Sequence, residues 1–274
     1  MYKRQIFLVL GMPIAFCMAL SAGAAIVLNP SLPATIVAQK IYTAVDSISF
    51  IAIPLFMMAG SLMNSTGITH KIIEFFENLV GHITGGLAHA VVLTGMLMAG
   101  VSGSSVADAA AISTIMVPQL EKNGYDRGFA GALISSAGSL GPIIPPSIIM
   151  IVYSGVVSIS VGKLFMAGLL PGIALGCGMI IMCMMMAKRY NFPKGEGVAK
   201  GEGIKVLLRG ILPMMTLIII MVGTGAGVFT ATEASAIACV YTMFLSMVVF
   251  RSVKLRDVGG ILKNSLKTLA IVMT

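Results

Sequence analysis

The stretch AGSLGPIIPPS, residues 137–147, places two glycines and three prolines inside one of the most apolar parts of the chain. Proline removes a backbone donor and clashes with the preceding helical turn, which costs about 3 kcal/mol in a helix interior. Glycine also weakens a helix, because it gives up more backbone freedom on folding than other residues do. The stretch therefore predicts that an apolar helix over residues 128–157 is broken near its middle.

A second irregularity precedes the first. The apolar segment over residues 87–119 is interrupted by SGSS at residues 102–105. Each apolar piece would cover about 20–22 Å as a helix, which is short of the ~30 Å hydrocarbon core of a bilayer. Two short helices with a small polar tip favour a re-entrant hairpin, which enters and leaves on one side. Two tilted spans with an external turn remain the alternative.

The composition places both features in a membrane protein. Of the 274 residues, 57% are hydrophobic and only 10% are charged, against roughly 25% charged in a soluble domain. Several runs reach the ~20 apolar residues that cross a bilayer. The chain is therefore predicted to be an all-α polytopic membrane protein. The net charge is +8, and the basic residues cluster in loops. Cytoplasmic loops of membrane proteins show the same bias, so the charge does not indicate nucleic-acid binding.

The remaining segments follow from apolar runs and charge. The region around residues 67–84 alternates apolar and polar residues at helical spacing, which predicts an amphipathic arm helix along the membrane interface. The other assignments are scaffold spans over 6–66, a further span over 164–186, a basic loop over 187–210, and two spans with the start of a further segment over 211–274.

The two ends of the sequence look artificial. MYKRQ, residues 1–5, can be encoded by the end of a transposon adapter used in library preparation, so we expect a sequencing artefact there. TLAIVMT stops just as an apolar run begins. We therefore expect the chain to be a fragment.

Loop charges predict the orientation. The basic segments over 187–210 and 251–267 are both expected to be cytoplasmic, which fits the two spans between them. Counting back through 164–186 and the broken segment places residues 121–127 on the cytoplasmic side as well. A hairpin returns to its own side, so the amphipathic helix and the N-terminus are predicted to be cytoplasmic.

The two irregular segments are candidates for a binding site. Broken helices expose carbonyls that have no intrahelical partner, and hydroxyls add further neutral oxygens. Such oxygens suit a hard cation such as Na⁺, and helix N-termini attract anions. The alternative is structural, in which the Gly-Pro break is a kink and the small residues allow close helix packing. The hydroxyl residues concerned are Ser102, Ser104, Ser105, Ser139 and Ser147.

Asp108 is the most informative charge. Intramembrane carboxylates are functional candidates, and this one could couple ions or protons. Its spacing from Ser105 is also that of a capping box, which would fix the start of the second hairpin helix. Capping is the favoured interpretation. Thr230 and Glu233 have the same spacing, and we expect a structural cap there too.

Seven motifs follow one another along the chain: GMPIAF (11–16), IPLFMMAGSLM (53–63), GGLAHA (85–90), GVSGSSVADAAAI (100–112), GSLGPIIPPS (138–147), AGLLPG (167–172) and FTATEAS (229–235). In this order they resemble the large membrane subunit of tripartite ATP-independent periplasmic (TRAP) transporters, the dicarboxylate-type permease. The resemblance runs from about residue 6 to the end of the chain.

The resemblance implies a Na⁺-coupled importer of organic acids in the bacterial inner membrane, with a small membrane subunit and a periplasmic substrate-binding protein as partners. It implies an elevator-type fold with inverted repeats, of which this chain holds the first, and a transport-domain half over residues 87–157. Its first Na⁺ site would fall on Ser102, Gly103 and Ser104, facing Gly141, Ile144 and Pro146. The candidates on the substrate side are Ser105, Asp108, Ser139, Pro145 and Ser147.

Other functions remain open at this point. A binding-protein-independent Na⁺/dicarboxylate symporter or antiporter of the same superfamily would share the motifs. An ion channel could use the broken helix as its filter, and a fragment could act as an accessory scaffold. An intramembrane hydrolase is disfavoured, because no histidine lies in a span near Ser104. The sequence contains no ATP-binding P-loop, and we expect neither enzymatic activity nor a cofactor beyond Na⁺ as coupling ion.

Overall fold

The computed structural model describes residues 11–12, 14–28, 33, 35–45, 48–194 and 203–273. These residues are helical and contain no strand, only an isolated β-bridge between Thr84 and Lys194. The predicted all-α class is therefore confirmed, while the inverted repeat and the elevator architecture stay predictions. The suggested artefact at residues 1–5 lies outside the described residues.

The chain divides into two compact units between residues 47 and 48. The first unit contains helix α1 (Ile14–Val27) and helix α2 (Thr35–Val45). Helix α1 is apolar and corresponds to the later part of the first predicted span, while α2 occupies the semi-polar segment that follows it.

The second unit contains a bundle of helices of different lengths. A 3₁₀ turn at Ile48–Ile51 leads into the first of them, and a π-helical turn at Leu245–Val249 extends the last but one. The helices are α3 (Ala52–Ser65), α4 (Ile68–Val80), α5 (Gly86–Ser102), α6 (Ser105–Lys122), α7 (Arg127–Gly138), α8 (Ile148–Val157), α9 (Val161–Arg189), α10 (Gly203–Gly225), α11 (Ala231–Phe244) and α12 (Leu255–Met273).

Helix α5 lies at the centre of this bundle. It packs against α3, α4, α6, α7, α9 and α10. Its residues Val91, Met98 and Val101 are fully buried in the same cluster as Ile112 and Met116 of α6. Helix α5 is apolar on all sides, which is typical of a helix that is buried on all sides. Both of its ends therefore lie against neighbouring helices.

Helix α4 is the predicted amphipathic helix. Its polar side carries Lys71 and Glu74, which form an ion pair at 2.8 Å. Its apolar side is buried and packs against α5 and α10 within the protein. The placement of α4 along the membrane interface stays a prediction. The buried apolar residues are Ile68, Ile72, Ile73, Phe75 and Phe76.

Helix α12 differs from the expectation. The charge pattern predicted a basic loop over residues 251–267, but the chain is helical from Leu255 to Met273. The helix packs on α3, and Ile261 contacts a buried cluster that includes Leu62 and Cys239. The reason is that apolar residues recur every three to four positions between the charges, which gives the segment one apolar side.

Two of the described helices are long and apolar enough to cross a membrane by length and composition. They are Val161–Arg189 and the combined helix Ala231–Val249. They correspond to the spans predicted over 164–186 and 234–250. The shorter apolar helices are Ile14–Val27, Ala52–Ser65, Gly86–Ser102, Ile148–Val157 and the Gly210–Gly225 part of α10.

Candidate functional site

The tip between α5 and α6 is a turn of two residues. Helix α5 ends at Ser102, and Gly103 then adopts a φ of 59° in the left-handed region that favours glycine. Ser104 is extended and precedes the first residue of α6, Ser105. The polar stretch SGSS therefore forms a tight hairpin tip. Its position relative to a bilayer stays a prediction.

The helix break predicted within residues 128–157 is present between α7 and α8. Helix α7 ends at Gly138 and α8 begins at Ile148. The first half of the break is a series of tight turns, in which the N–H groups of residues 139–144 other than Pro142 bond back to nearby carbonyls. The peptide bond between Pro145 and Pro146 is cis. Among the described residues, no donor reaches the carbonyls of Ile144, Pro145 or Pro146.

The hairpin tip and the helix break lie directly against each other. A Cβ placed on Gly103 would be 3.0 Å from the Pro146 carbonyl oxygen and 2.9 Å from the backbone nitrogen of Ile148. A Cβ placed on Gly141 would be 3.1 Å from the backbone nitrogen of Ser105. Glycine at these two positions thus allows the two irregular backbones to approach within a few ångströms.

Ser102 and Asp108 form a hydrogen bond across the tip. The Ser102 hydroxyl donates to Asp108 Oδ1 at 2.6 Å and accepts from the Ser104 N–H at 3.1 Å. Both residues are buried, Asp108 completely. The bond holds the last residue of α5 against the first turn of α6 and fixes the orientation of the serine oxygen.

The capping interpretation of Asp108 is wrong. The N-cap of α6 is Ser104, not Ser105, and no side chain caps this helix. The carboxylate binds the Ser102 hydroxyl instead, because the preceding chain turns back and brings that hydroxyl within reach. By contrast, the capping box of Thr230 and Glu233 at the start of α11 is confirmed, with both reciprocal hydrogen bonds present.

Two buried polar atoms at the site have no partner among the described residues: Asp108 Oδ2 and the Ser147 hydroxyl. Ser147 follows the two prolines and lies beside Gly103. A buried polar atom without a hydrogen bond costs about 1–3 kcal/mol, and a charged one costs more. The two atoms therefore favour a cation or a hydrogen-bond donor near them, and both are oxygen acceptors of the kind that Na⁺ binds.

The other predicted residues occupy different environments. Ser104 and Ser105 are half-buried, whereas Gly141, Ile144, Pro145 and Pro146 are buried in the break. Ser139 is exposed, and its hydroxyl donates to the Ser136 carbonyl at 2.7 Å. The structure therefore brings the predicted residues of the tip and the break together, and it leaves the Ser139 side chain outside this group.

Gly60 is a contact that the sequence reasoning missed. A Cβ on this residue of α3 would lie 2.7 Å from the Cβ of Ser102. Helix α3 therefore packs directly on the end of α5. The only available signal was the small-residue sequence AGS at residues 59–61, which allows close packing of helices but does not identify the partner helix.

Apolar helices, two of them long enough to cross a membrane, and two facing backbone breaks are typical of a helical membrane protein. The family model "Tripartite ATP-independent periplasmic transporter, DctM component" matches residues 5–274. The chain belongs to this family, as its motifs indicated.

Three relatives illustrate the similarity. The sialic acid TRAP transporter large permease of Vibrio cholerae is 34% identical over 262 residues, which is 96% of this chain and 61% of the relative. The 2,3-diketo-L-gulonate large permease of Escherichia coli is 36% identical over 96% of this chain and 62% of the relative. The C4-dicarboxylate large permease of Pseudomonas aeruginosa is 36% identical over 86% of this chain and 55% of the relative. The chain thus spans about three fifths of the relatives' length.

Proposed function

We propose that this chain forms part of the permease of a Na⁺-coupled secondary transporter that imports organic acids. The supporting observation is the meeting of two helix breaks around unpartnered buried oxygens, among them the Asp108 carboxylate and the Ser147 hydroxyl. Discontinuous helices around a mid-membrane ion and substrate site are a recurring plan of secondary transporters. A Na⁺ ion held there would offset the cost of the buried carboxylate.

The ion site draws on both breaks. Ser102, Gly103 and Ser104 supply it from the tip, and Gly141, Ile144 and Pro146 supply it from the broken helix. Backbone carbonyls with no donor provide neutral oxygens on the second side. Asp108 adds the negative charge and positions the Ser102 hydroxyl through their hydrogen bond. Substrate would bind beside the ion, near Ser105, Pro145 and Ser147.

The proposed substrate class follows from the relatives. Their names specify sialic acid, 2,3-diketo-L-gulonate and C4-dicarboxylates, all of which carry a carboxylate. In this proposal the protein resides in the bacterial inner membrane with several spans. A small membrane subunit supports it, and a periplasmic binding protein delivers the substrate. Residues 87–157 move as half of a transport domain against the scaffold, in an elevator movement.

The experiment uses a permease of full family length that carries this sequence, reconstituted in liposomes with its two partners. The variant Ser102→Ala with Gly141→Ala removes one oxygen and separates the two breaks. We expect the Na⁺ concentration for half-maximal uptake to rise by about tenfold, which corresponds to the loss of about one hydrogen-bond equivalent. Helical content should not change.

The matched control is Ser113→Ala in α6 with Gly131→Ala in α7, which makes the same two kinds of change away from the tip and the break. A Cβ on Gly131 meets nothing within 4 Å, and the Ser113 hydroxyl bonds only to its own helix. Unchanged Na⁺ activation in the first variant would refute the ion site. Uptake without the binding protein would favour a binding-protein-independent symporter or antiporter, and single-channel currents would favour a channel.

A further inference from the structure

A polar cavity of about 520 Å³ lies at the opposite end of the hairpin from its tip. Its size falls within the range of ~300–1,000 Å³ that is typical of small-molecule sites. It opens where α4 ends, α5 begins and α6 ends, and the chain segment after α9 closes one side. The residues that line it are Glu77, Gly81, Leu87, Gln119, Lys122, Asn123 and Lys194.

The cavity presents acceptors that require a donor. Glu77 Oε1 and the Gln119 amide oxygen are buried, and neither has a hydrogen-bond partner among the described residues. Burial raises the pKa of Glu77 to about 7, and the nearby charge of Glu74 adds to the effect. A cationic amine in the cavity would satisfy both acceptors and favour the ionised carboxylate.

The cavity also presents cations that require an anion. Lys122 and Lys194 are exposed at its rim, and neither has an ion-pair partner in the described part of the chain. Glu74 pairs with His70 and Lys71, and Glu121 pairs with Arg127. Glu74 and Glu121 are therefore engaged elsewhere, and Glu77, which lines the same cavity, forms no ion pair with either lysine. The two lysines can therefore bind an anionic group.

The position indicates the source of such a ligand. Helix α5 contains no Asp, Glu, Lys or Arg, and apart from Asp108 beside the tip the charged residues of α6, Glu121 and Lys122, lie at this end. In a membrane protein the charged ends of apolar helices lie at the level of the lipid headgroups. Leu87 adds an apolar wall, which suits the glycerol and upper acyl region of a lipid.

We propose that this cavity binds a phosphoethanolamine group, with the ammonium at Glu77 and Gln119 and the phosphate at Lys122 and Lys194. The expected source is the headgroup of phosphatidylethanolamine. Because the cavity joins α4 to the base of the hairpin, the bound headgroup would tie the amphipathic helix to α6. This site is separate from the proposed ion site, and its test does not depend on transport.

The experiment measures lipid retention by native mass spectrometry of a purified permease of full family length that carries this sequence, in detergent, titrated with dioleoyl-phosphatidylethanolamine or dioleoyl-phosphatidylglycerol. We expect the first lipid to be retained in preference to the second. Glu77→Gln should weaken the ethanolamine lipid by about tenfold, as loss of a charged hydrogen bond predicts, and should leave the glycerol lipid unchanged. Lys122→Gln with Lys194→Gln should weaken both lipids.

The control variants are Glu121→Gln and Lys163→Gln, which remove charges of the same kinds outside the cavity and should have no effect. Displacement of the lipid by glycerophosphoethanolamine would assign the site to the headgroup itself. Binding of that solute without retention of lipid would support the phosphoethanolamine site with a soluble source. Three outcomes would overturn the proposal. The unmodified protein could retain both lipids equally, or Glu77→Gln could leave the lipid preference unaltered. Glycine could also bind as tightly as glycerophosphoethanolamine does.

Discussion

The orientation of Ser102 depends on three contacts from three directions. Its hydroxyl is bonded to Asp108 and to the Ser104 N–H, and Gly60 of α3 packs on its Cβ. A serine with one donor and two lone pairs retains one lone pair after these two bonds. The side chain is therefore held in one orientation with an oxygen still able to accept or to bind a cation.

Gly60→Ala tests this arrangement. The added Cβ would meet the Ser102 Cβ at 2.7 Å and the Ser102 Cα at 2.8 Å, so α3 or the end of α5 must move. Such overpacking costs about 1–3 kcal/mol. Thermal unfolding of the chain in detergent should show a lower midpoint, and hydrogen exchange should be faster at residues 102–105.

The control for this variant is Gly178→Ala in α9, where a Cβ meets nothing within 4 Å. Replacing glycine by alanine inside an open helix position stabilises by about 0.5–1 kcal/mol, so its midpoint should be equal or higher. Equal midpoints for the two variants would show that α3 does not press on the hairpin tip.

Asp108 shows where local spacing fails to assign a role. The distance of three residues from Ser105 predicted a cap, but the helix begins one residue earlier and the carboxylate bonds to Ser102. Ser102 precedes the turn, so the bond depends on how the chain reverses at Gly103. Sequence spacing describes a single helix and does not include this reversal.

Some elements around the site could be predicted from local sequence signals, and others could not. The break between α7 and α8 follows from glycines and prolines, and the tip follows from SGSS, because these signals act on the local backbone. The charges of residues 251–267 indicate a loop, whereas the structure has helix α12 there, with apolar residues at helical spacing between the charges. Its packing on α3 is a tertiary contact that no local signal describes.

The start of α11 is the clearest local prediction. The Thr230 hydroxyl accepts from the Glu233 N–H at 3.3 Å, and the Glu233 carboxylate accepts from the Thr230 N–H at 2.8 Å. Thr230→Ala should lower the free energy of unfolding by about 1 kcal/mol, because one N–H of the first turn loses its acceptor. Thermal unfolding in detergent measures the change.

Thr230→Ser is the matched control, because it keeps the hydroxyl and should retain nearly all of the stability. A loss in the serine variant as large as that in the alanine variant would mean that the threonine methyl group, rather than the cap, stabilises this end of α11.

The meeting of the two breaks is a property of the second unit as a whole. Helix α5 is buried among six helices, and this placement sets its end against α3, α6 and the break before α8. From the sequence, only the resemblance to a family related the two segments, because composition and spacing contain no information about which distant segments touch. The charges at the helix ends, by contrast, were readable from the sequence and predict an orientation.

That orientation can be tested with two single cysteines in a background where Cys17, Cys177, Cys183 and Cys239 are replaced by alanine. Asn123→Cys lies in the turn after α6, and Ile159→Cys lies in the turn between α8 and α9; both positions are exposed. The basic segments place the first turn on the cytoplasmic side and the second on the periplasmic side. In intact cells, a membrane-impermeant maleimide should label the cysteine at 159 and not the cysteine at 123.

Permeabilised cells supply the control, since both cysteines should then be labelled to a similar extent. The reverse pattern in intact cells would invert the molecule and place the cavity around Glu77 on the periplasmic side. Labelling of both positions in intact cells would mean that α7 and α8 together do not cross the membrane. In that case the broken helix would be a second re-entrant segment, and the turns before α7 and after α8 would both lie on the periplasmic side.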